Sequence, residues 1–242
     1  MYSLGALLAA AVSTQAYTTM GVRAGQRSQP SLLLRRTRLL TCLDKQEVLE
    51  KLSAVPVFGI ANGADQLMST ADAETGTPVI TFYLDIADAQ RSLAFAKAAD
   101  PSAGVELLVA PLGKAFTMKS TDVSVQLQPS QAEYNSIRQD LGFSAADESE
   151  GSMQLIPLFY SDELKFESPS EPDNPSTPFF FGVGDYRAAW VASGQAAETL
   201  PAVQLMDLRT LAYKMENDDA PNDWRSTVLI PSEAGIAFVE AR

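Results

Sequence analysis

The chain has no histidine and only one cysteine, Cys42, in 242 residues. Without histidine there is no Ser-His-Asp or Cys-His nucleophile activation, no histidine metal ligation and no histidine pH switch. A single cysteine excludes a disulfide framework and a cysteine metal cluster within one chain. Positive charge is also short: 18 Lys and Arg stand against 30 Asp and Glu, a formal net charge of −12. A nucleic-acid partner needs a basic footprint, so that class of partner is excluded. Long apolar runs are missing as well, and no segment after the first residues is long and apolar enough for a transmembrane helix, so the mature chain is expected to be soluble. Nothing in the pattern asks for a cofactor or a metal. What remains is ordinary globular composition, 46% hydrophobic and 20% charged. The length suits one large domain or two small ones.

The charge is divided unevenly. Residues 1–43 hold Arg23, Arg27, Arg35, Arg36 and Arg38 and no acid. All 30 acidic residues and the other 13 basic ones lie from Asp44 onward, so the body carries −17. Such asymmetry at an N-terminus signals targeting. Leu4 to Val12 is a short apolar run, followed by small residues at Thr14 and Ala16. Residues 1–16 are therefore read as a signal peptide, although its basic start is weak. Residues 17–43, led by Tyr17 and rich in Arg, Ser and Thr, have transit-peptide composition. Together they resemble the bipartite presequence of algae with complex plastids. A plain secretory signal or a mitochondrial presequence is the alternative.

The body, residues 44–242, reads as a duplication with halves 44–142 and 153–242. Val55-Pro56-Val57-Phe58 has a counterpart in Ile156-Pro157-Leu158-Phe159. Thr77-Pro78-Val79-Ile80-Thr81-Phe82 matches Thr177-Pro178-Phe179-Phe180-Phe181, after which Asp85 aligns with Asp185. Val105–Val109 matches Ala202–Leu205. The matches keep their order at a nearly constant offset. The apolar, β-branched and aromatic runs suit strands. Asp88 is expected to cap a helix over Ala89–Ala99, ended by Pro101, and Asp185 one over Tyr186–Ser193, ended by Gly194. Helices led by Leu112–Met118 and Asp207–Met215 follow the later strands. Asp44-x-x-Glu47 and Ser130-x-x-Glu133 look like capping boxes opening helices ahead of each half, the second closed by Gly142. Residues 144–152 read as a linker and 168–178 as an exposed proline-rich loop. The expected fold is α/β (α+β), internally duplicated with pseudo-two-fold symmetry, a mixed sheet flanked by helices over one shared core.

Few groupings could carry chemistry. Asp85 and Asp88 could form a carboxylate pair at a sheet edge, but turn and cap roles explain them better. Gly182-x-Gly184 precedes a helix yet lacks the rest of any phosphate-loop fingerprint, so it reads as a tight turn. Glu216-Asn217-Asp218-Asp219 lacks EF-hand spacing and reads as a solvated turn. The apolar strands hold more interest. Ile80, Phe82 and Leu84 share one face of a strand, as do Phe179 and Phe181. They are either core or the lining of a groove for apolar segments of another protein.

The run from Leu52 to Asn62, Ile156 to Leu164, Thr177 to Phe181 and Val105 to Leu112 resembles the Tic22-like family of plastids and cyanobacteria in both sequence and order. Ile-Pro-Leu stands here where the family has a second Val-Pro-Val. The resemblance implies a duplicated α/β fold with hydrophobic grooves and a chaperone-like role without enzymatic activity. It implies a plastid import component in the envelope intermembrane space, with cyanobacterial relatives in the periplasm. The implied partners are precursor proteins with basic transit peptides and translocon components of the envelope. The acidic body would attract such segments. Two other readings compete: a secreted or lumenal binder of an apolar ligand, and a carboxylate-dependent enzyme around Asp85 or Asp185.

Overall fold

A computed structural model describes residues 21–24, 42–72, 75–118, 123–141, 155–168, 171–217 and 224–242. The proposed signal peptide, most of the transit-like segment, Gly142 and the 144–152 linker lie outside the described residues. The chain divides into two compact units, one holding 50–157 and 231–242, the other 158–230 with 13–49. Each unit is built on its own mixed sheet.

Helix α1 (Lys45–Ser53) opens on a complete capping box. The Glu47 amide donates to Asp44 Oδ1 and the Asp44 amide to Glu47 Oε2, both at 2.8 Å. Val48 and Leu52, one turn apart, are both buried. The first sheet then runs β2 (Pro56–Ala61), β3 (Thr70–Ala71), β4 (Pro78–Tyr83), β5 (Glu106–Pro111) and β6 (Ser124–Gln128), the label β1 being kept for Gly21–Ala24. Strand β2 is central between antiparallel β4 and β5, and β6 runs parallel to β4. Between them come α2 (Ile86–Ala99), α3 (Leu112–Thr117) and, after β6, α4 (Gln131–Leu141). Phe58, Leu107 and Val109 point to the face that α2 covers with Ile86, Ala89 and Leu93.

The second sheet repeats the plan. It contains β7 (Pro157–Tyr160), β8 (Leu164–Ser168), β9 (Glu171–Phe180), β10 (Gln204–Asp207) and β11 (Thr227–Ile230). Strand β7 lies between β9 and β10, and β11 runs parallel to β9. Helices α5 (Val183–Ala192) and α6 (Leu208–Asn217) occupy the places of α2 and α3 in chain order. The last helix, α7 (Glu233–Glu240), belongs to the first unit, where Phe238 meets Phe58 edge-on at 5.7 Å.

Three sequence expectations change here. The proline-rich stretch 168–178 is a β-hairpin arm, not a loop, with β9 paired antiparallel to β8. Between Phe166↔Ser176 and Ser168↔Glu171 the ladder takes five steps on β9 for two on β8. Pro172 and Pro175 fall inside that irregularity, where a residue without an N–H is tolerated. Second, the ladder pairings move the repeat by three residues. Tyr83 faces Phe58 and Phe180 faces Phe159. Phe82 faces Leu127 while Phe179 faces Leu229. Phe82 thus corresponds to Phe179, and Asp88 to Asp185, so the two Thr-Pro steps are not equivalent. Third, the helices that follow β4 and β9 are capped by Asp85 and Gly182, not by Asp88 and Asp185.

The transit-like segment also contributes a strand. Gly21–Ala24 (β1) pairs antiparallel with β8.

Candidate functional site

Residues at the turn from β4 into α2 were the first candidates for chemistry. The structure makes Asp85, not Asp88, the N-cap of α2: its Oδ1 accepts from the amides of Ala87 at 2.8 Å and Asp88 at 3.0 Å. Asp88 sits one turn in, 6% exposed. Its Oδ1 takes Arg91 Nη1 at 2.8 Å and its Oδ2 the amide of Gln131 at 2.8 Å. The carboxylate therefore joins α2 to the first residue of α4, forty-three positions on. Ser130, expected to open α4, holds the Glu133 amide at only 3.5 Å. Both aspartates are committed to holding backbone in place, and the geometry leaves no carboxylate pair facing a shared reacting atom.

The matching turn in the second unit is simpler. Gly182 is the N-cap of α5 and gives no side-chain hydrogen bond, while Asp185 lies inside the first turn. The Gly182-x-Gly184 sequence is the turn from strand to helix, as expected. Gly194 follows α5 at φ +83°, a conformation glycine adopts without strain. Asp207 caps α6, its Oδ1 accepting from the backbone amide of Arg209 at 2.8 Å. Glu216 and Asn217 end α6, and Asp218 and Asp219 lie outside the described residues. Among the described residues no cluster of three His, Cys, Asp or Glu side chains forms. Cys42 is exposed.

The apolar candidates fall on corresponding strands. In the first unit Phe82 is fully buried and Leu84 6% exposed, while Ile80 on the same face is half-buried. Room for the Phe82 ring comes from Gly59 on β2. A Cβ there would stand 3.3 Å from the ring and 2.7 Å from Leu67. A glycine within an apolar strand was the sequence signal for that close approach. In the second unit Phe179 is fully buried and Phe181 8% exposed. Phe179 stacks on Tyr160 at 4.4 Å and leans on Trp224 at 6.4 Å. Lys214 Nζ lies 5.3 Å above the Trp224 ring, a cation–π contact. On the opposite face Phe180 meets Tyr186 at 5.8 Å and Phe166 at 6.3 Å, both edge-on. Sequence reading found the phenylalanine strand but missed Tyr160 and Trp224, which join Phe179 from distant positions, and Tyr186, which meets Phe180 from α5.

Burial sets the electrostatics here. It raises the Tyr160 phenol above its usual range, helped by Asp162 and opposed by Lys214. It also raises that of Tyr186, whose buried hydroxyl makes no hydrogen bond of good geometry, although Ser161 lies close enough to favour the ionised form. Burial lowers Lys165, whose Nζ donates to Thr177 Oγ1 at 2.6 Å. Among the described residues no helix is long and apolar enough to cross a membrane.

The comparisons agree with this architecture. The Tic22-like family matches residues 3–238. The fold is similar to that of Tic22 from Plasmodium falciparum, with a TM-score of 0.62 at 17% identity, over 80% of this chain and 96% of that one. It is similar also to Anabaena Tic22, a protein described by protein transport, with a TM-score of 0.61 at 16% identity, over 83% of this chain and 98% of the other. None of the curated proteins matches.

Proposed function

The chain belongs to the Tic22-like family, and on that premise we propose that it is a non-enzymatic factor of protein import that transiently holds precursor proteins. The observation that carries this reading is the family match over residues 3–238. We place its work in the envelope intermembrane space of a complex plastid. The acid-free, arginine-bearing residues 1–43 ahead of an acidic body support that placement. Its partners in this reading are precursors with basic transit segments and translocon components of the envelope.

The physical mechanism follows from charge and apolar surface. A body of −17 draws basic segments by long-range attraction, which raises the rate of encounter. Apolar side chains of the cargo then seat on the strand face that carries Ile80, Phe82 and Leu84, or on its counterpart with Phe179 and Phe181. Four of these five are buried, so half-buried Ile80 is the one of them that a cargo side chain would meet first. Holding cargo this way requires no reacting group.

A labelled basic transit peptide titrated into the full chain tests the reading. Binding is expected at low salt, weakening as ionic strength brings the screening length to about 10 Å near 0.1 M. Ile80→Asp is expected to weaken it further at fixed salt. Absence of binding at low salt overturns the proposal. A fluorescent fusion of residues 1–43 tests the location, and a cytosolic or mitochondrial signal would sink it.

A further inference from the structure

We infer that the outer edge of β8 is a strand acceptor for an extended, acid-free, arginine-bearing segment of a partner protein, and that the chain's own Gly21–Ala24 occupies this edge in cis. The inference deepens the import reading and rests on it for the identity of the partner.

The second sheet runs β1-β8-β9-β7-β10. Among the described residues strand β8 is bonded on one side to β9 and on the other to β1. The β1 ladder is continuous, with Gly21 opposite Glu167, Val22 opposite Phe166, Arg23 opposite Lys165 and Ala24 opposite Leu164. Without β1 the backbone amides and carbonyls on that side of β8 would form an open edge, which is a template for any extended chain.

The acceptor strand is also held from its inner side. Leu164 is fully buried and Phe166 is 7% exposed, held edge-on by Phe180. Lys165 is tied across to Thr177 on β9. A ladder already held from its inner side loses little freedom when another strand adds. Recognition through backbone hydrogen bonds also suits ligands that share a composition and not a motif, because it reads few side chains.

The occupant seen here indicates the chemistry of the ligand. Strand β1 comes from residues 17–43, which carry five arginines and no acid. The rest of the chain is strongly acidic. The acidity of the rest of the chain therefore favours a basic extended segment, while the ladder, which sets Arg23 opposite Lys165, reads backbone and not charge. Because β1 and β8 lie in one chain, the cis strand competes as an intramolecular ligand. Its presence lowers the apparent affinity for any strand arriving in trans.

The test uses the full chain and its Val22→Pro/Arg23→Pro variant. Successive N–H groups of a strand point to opposite sides, so the pair of prolines removes the one aimed at β8 whichever residue carries it. The probe is a labelled peptide of residues 18–27, together with the same peptide N-methylated at positions 22 and 23. The variant is expected to bind the unmodified probe at least tenfold more tightly than the full chain does, and to ignore the methylated one. Amide exchange at Leu164–Ser168 is expected to speed up in the variant and to slow again when the probe is added. Equal affinity for the two proteins, equal binding of the two peptides, or exchange on β8 unchanged by the probe would each overturn the inference. A foreign transit peptide run in parallel separates the two proposals. If it binds both proteins equally and tolerates methylation, the import reading stands and the edge acceptor falls. If it binds neither while the probe still binds the variant, the edge stands and the import reading falls.

Discussion

Asp88 shows how a residue that looks catalytic in a sequence can be structural. Both of its oxygens are engaged, one by Arg91 and one by the amide that opens α4. Removing the carboxylate would strand that amide in a partly buried place, which costs about 1–3 kcal/mol. Asp88→Ala should therefore lower stability by that amount in urea unfolding and speed amide exchange in the first turn of α4. Tyr186 behaves in the opposite sense. Its ring is fully buried, but its hydroxyl makes no hydrogen bond of good geometry. Tyr186→Phe keeps the ring contact with Phe180 and removes a desolvated polar atom. It should leave the melting temperature unchanged or raise it, and a loss above about 1 kcal/mol would show that the hydroxyl is well paired after all. The caps at Asp44 and the turn at Gly194 were legible in the sequence because they depend on near neighbours. Asp88 was misread as a cap because its partner lies forty-three residues away.

Among the elements, β9 departs most from sequence expectation. Four prolines in 168–178 read as a loop, yet Glu171–Phe180 is the second arm of a hairpin. The ladder accommodates Pro172 and Pro175 by skipping residues, a choice made by the pairing partner and not by local propensity. The phenylalanine strands were legible as strands, and alternation separated the partners of Phe179 from those of Phe180. The turn after α5 is the clearest point for a test at this scale. Gly194 has φ +83°, and just beyond it Trp190 Nε1 donates to the Ala196 carbonyl at 3.1 Å. Gly194→Ala should cost about 1–2 kcal/mol, the penalty for an L-residue in the left-handed region. Thermal unfolding followed by tryptophan fluorescence would read it.

At the scale of the whole molecule the units are interleaved along the chain. The last helix supplies the first unit with Phe238, set edge-on to Phe58, and with Gly235, placed against the Phe58 ring. A Cβ at Gly235 would stand 3.5 Å from that ring. Phe238→Ala should destabilise the protein by about 1–3 kcal/mol, since a half-buried aromatic loses both area and its ring contact. Far-ultraviolet circular dichroism in urea would measure it. The alkaline limb of stability follows from the buried tyrosines. Tyr160 and Tyr186 are raised above 10.0 in the folded chain. They hold protons that the unfolded chain has lost, so their contribution is full below that value and disappears as pH rises through the folded values. Lys165 is lowered from 10.5 and acts in the opposite sense, its contribution growing as pH approaches 10.5. Above that pH only the tyrosines still act, and stability should fall. A tyrosine absorbance titration beside unfolding curves from pH 9 to about 12 would check the sign.

Composition and spacing by themselves determined the charge division, the absence of histidine chemistry, the strand and helix types, and the existence of a repeat. These depend on residue type and short-range period, which a linear string records. The tertiary structure decided the register of the repeat, because only ladder partners show that Phe82 corresponds to Phe179 and Asp88 to Asp185. It decided that β8 is edged by Gly21–Ala24, a pairing of residues about 140 positions apart. It also gathered Tyr160, Phe179 and Trp224 into one cluster. Such contacts are chosen by the total burial they achieve, and no local stretch of sequence contains that sum.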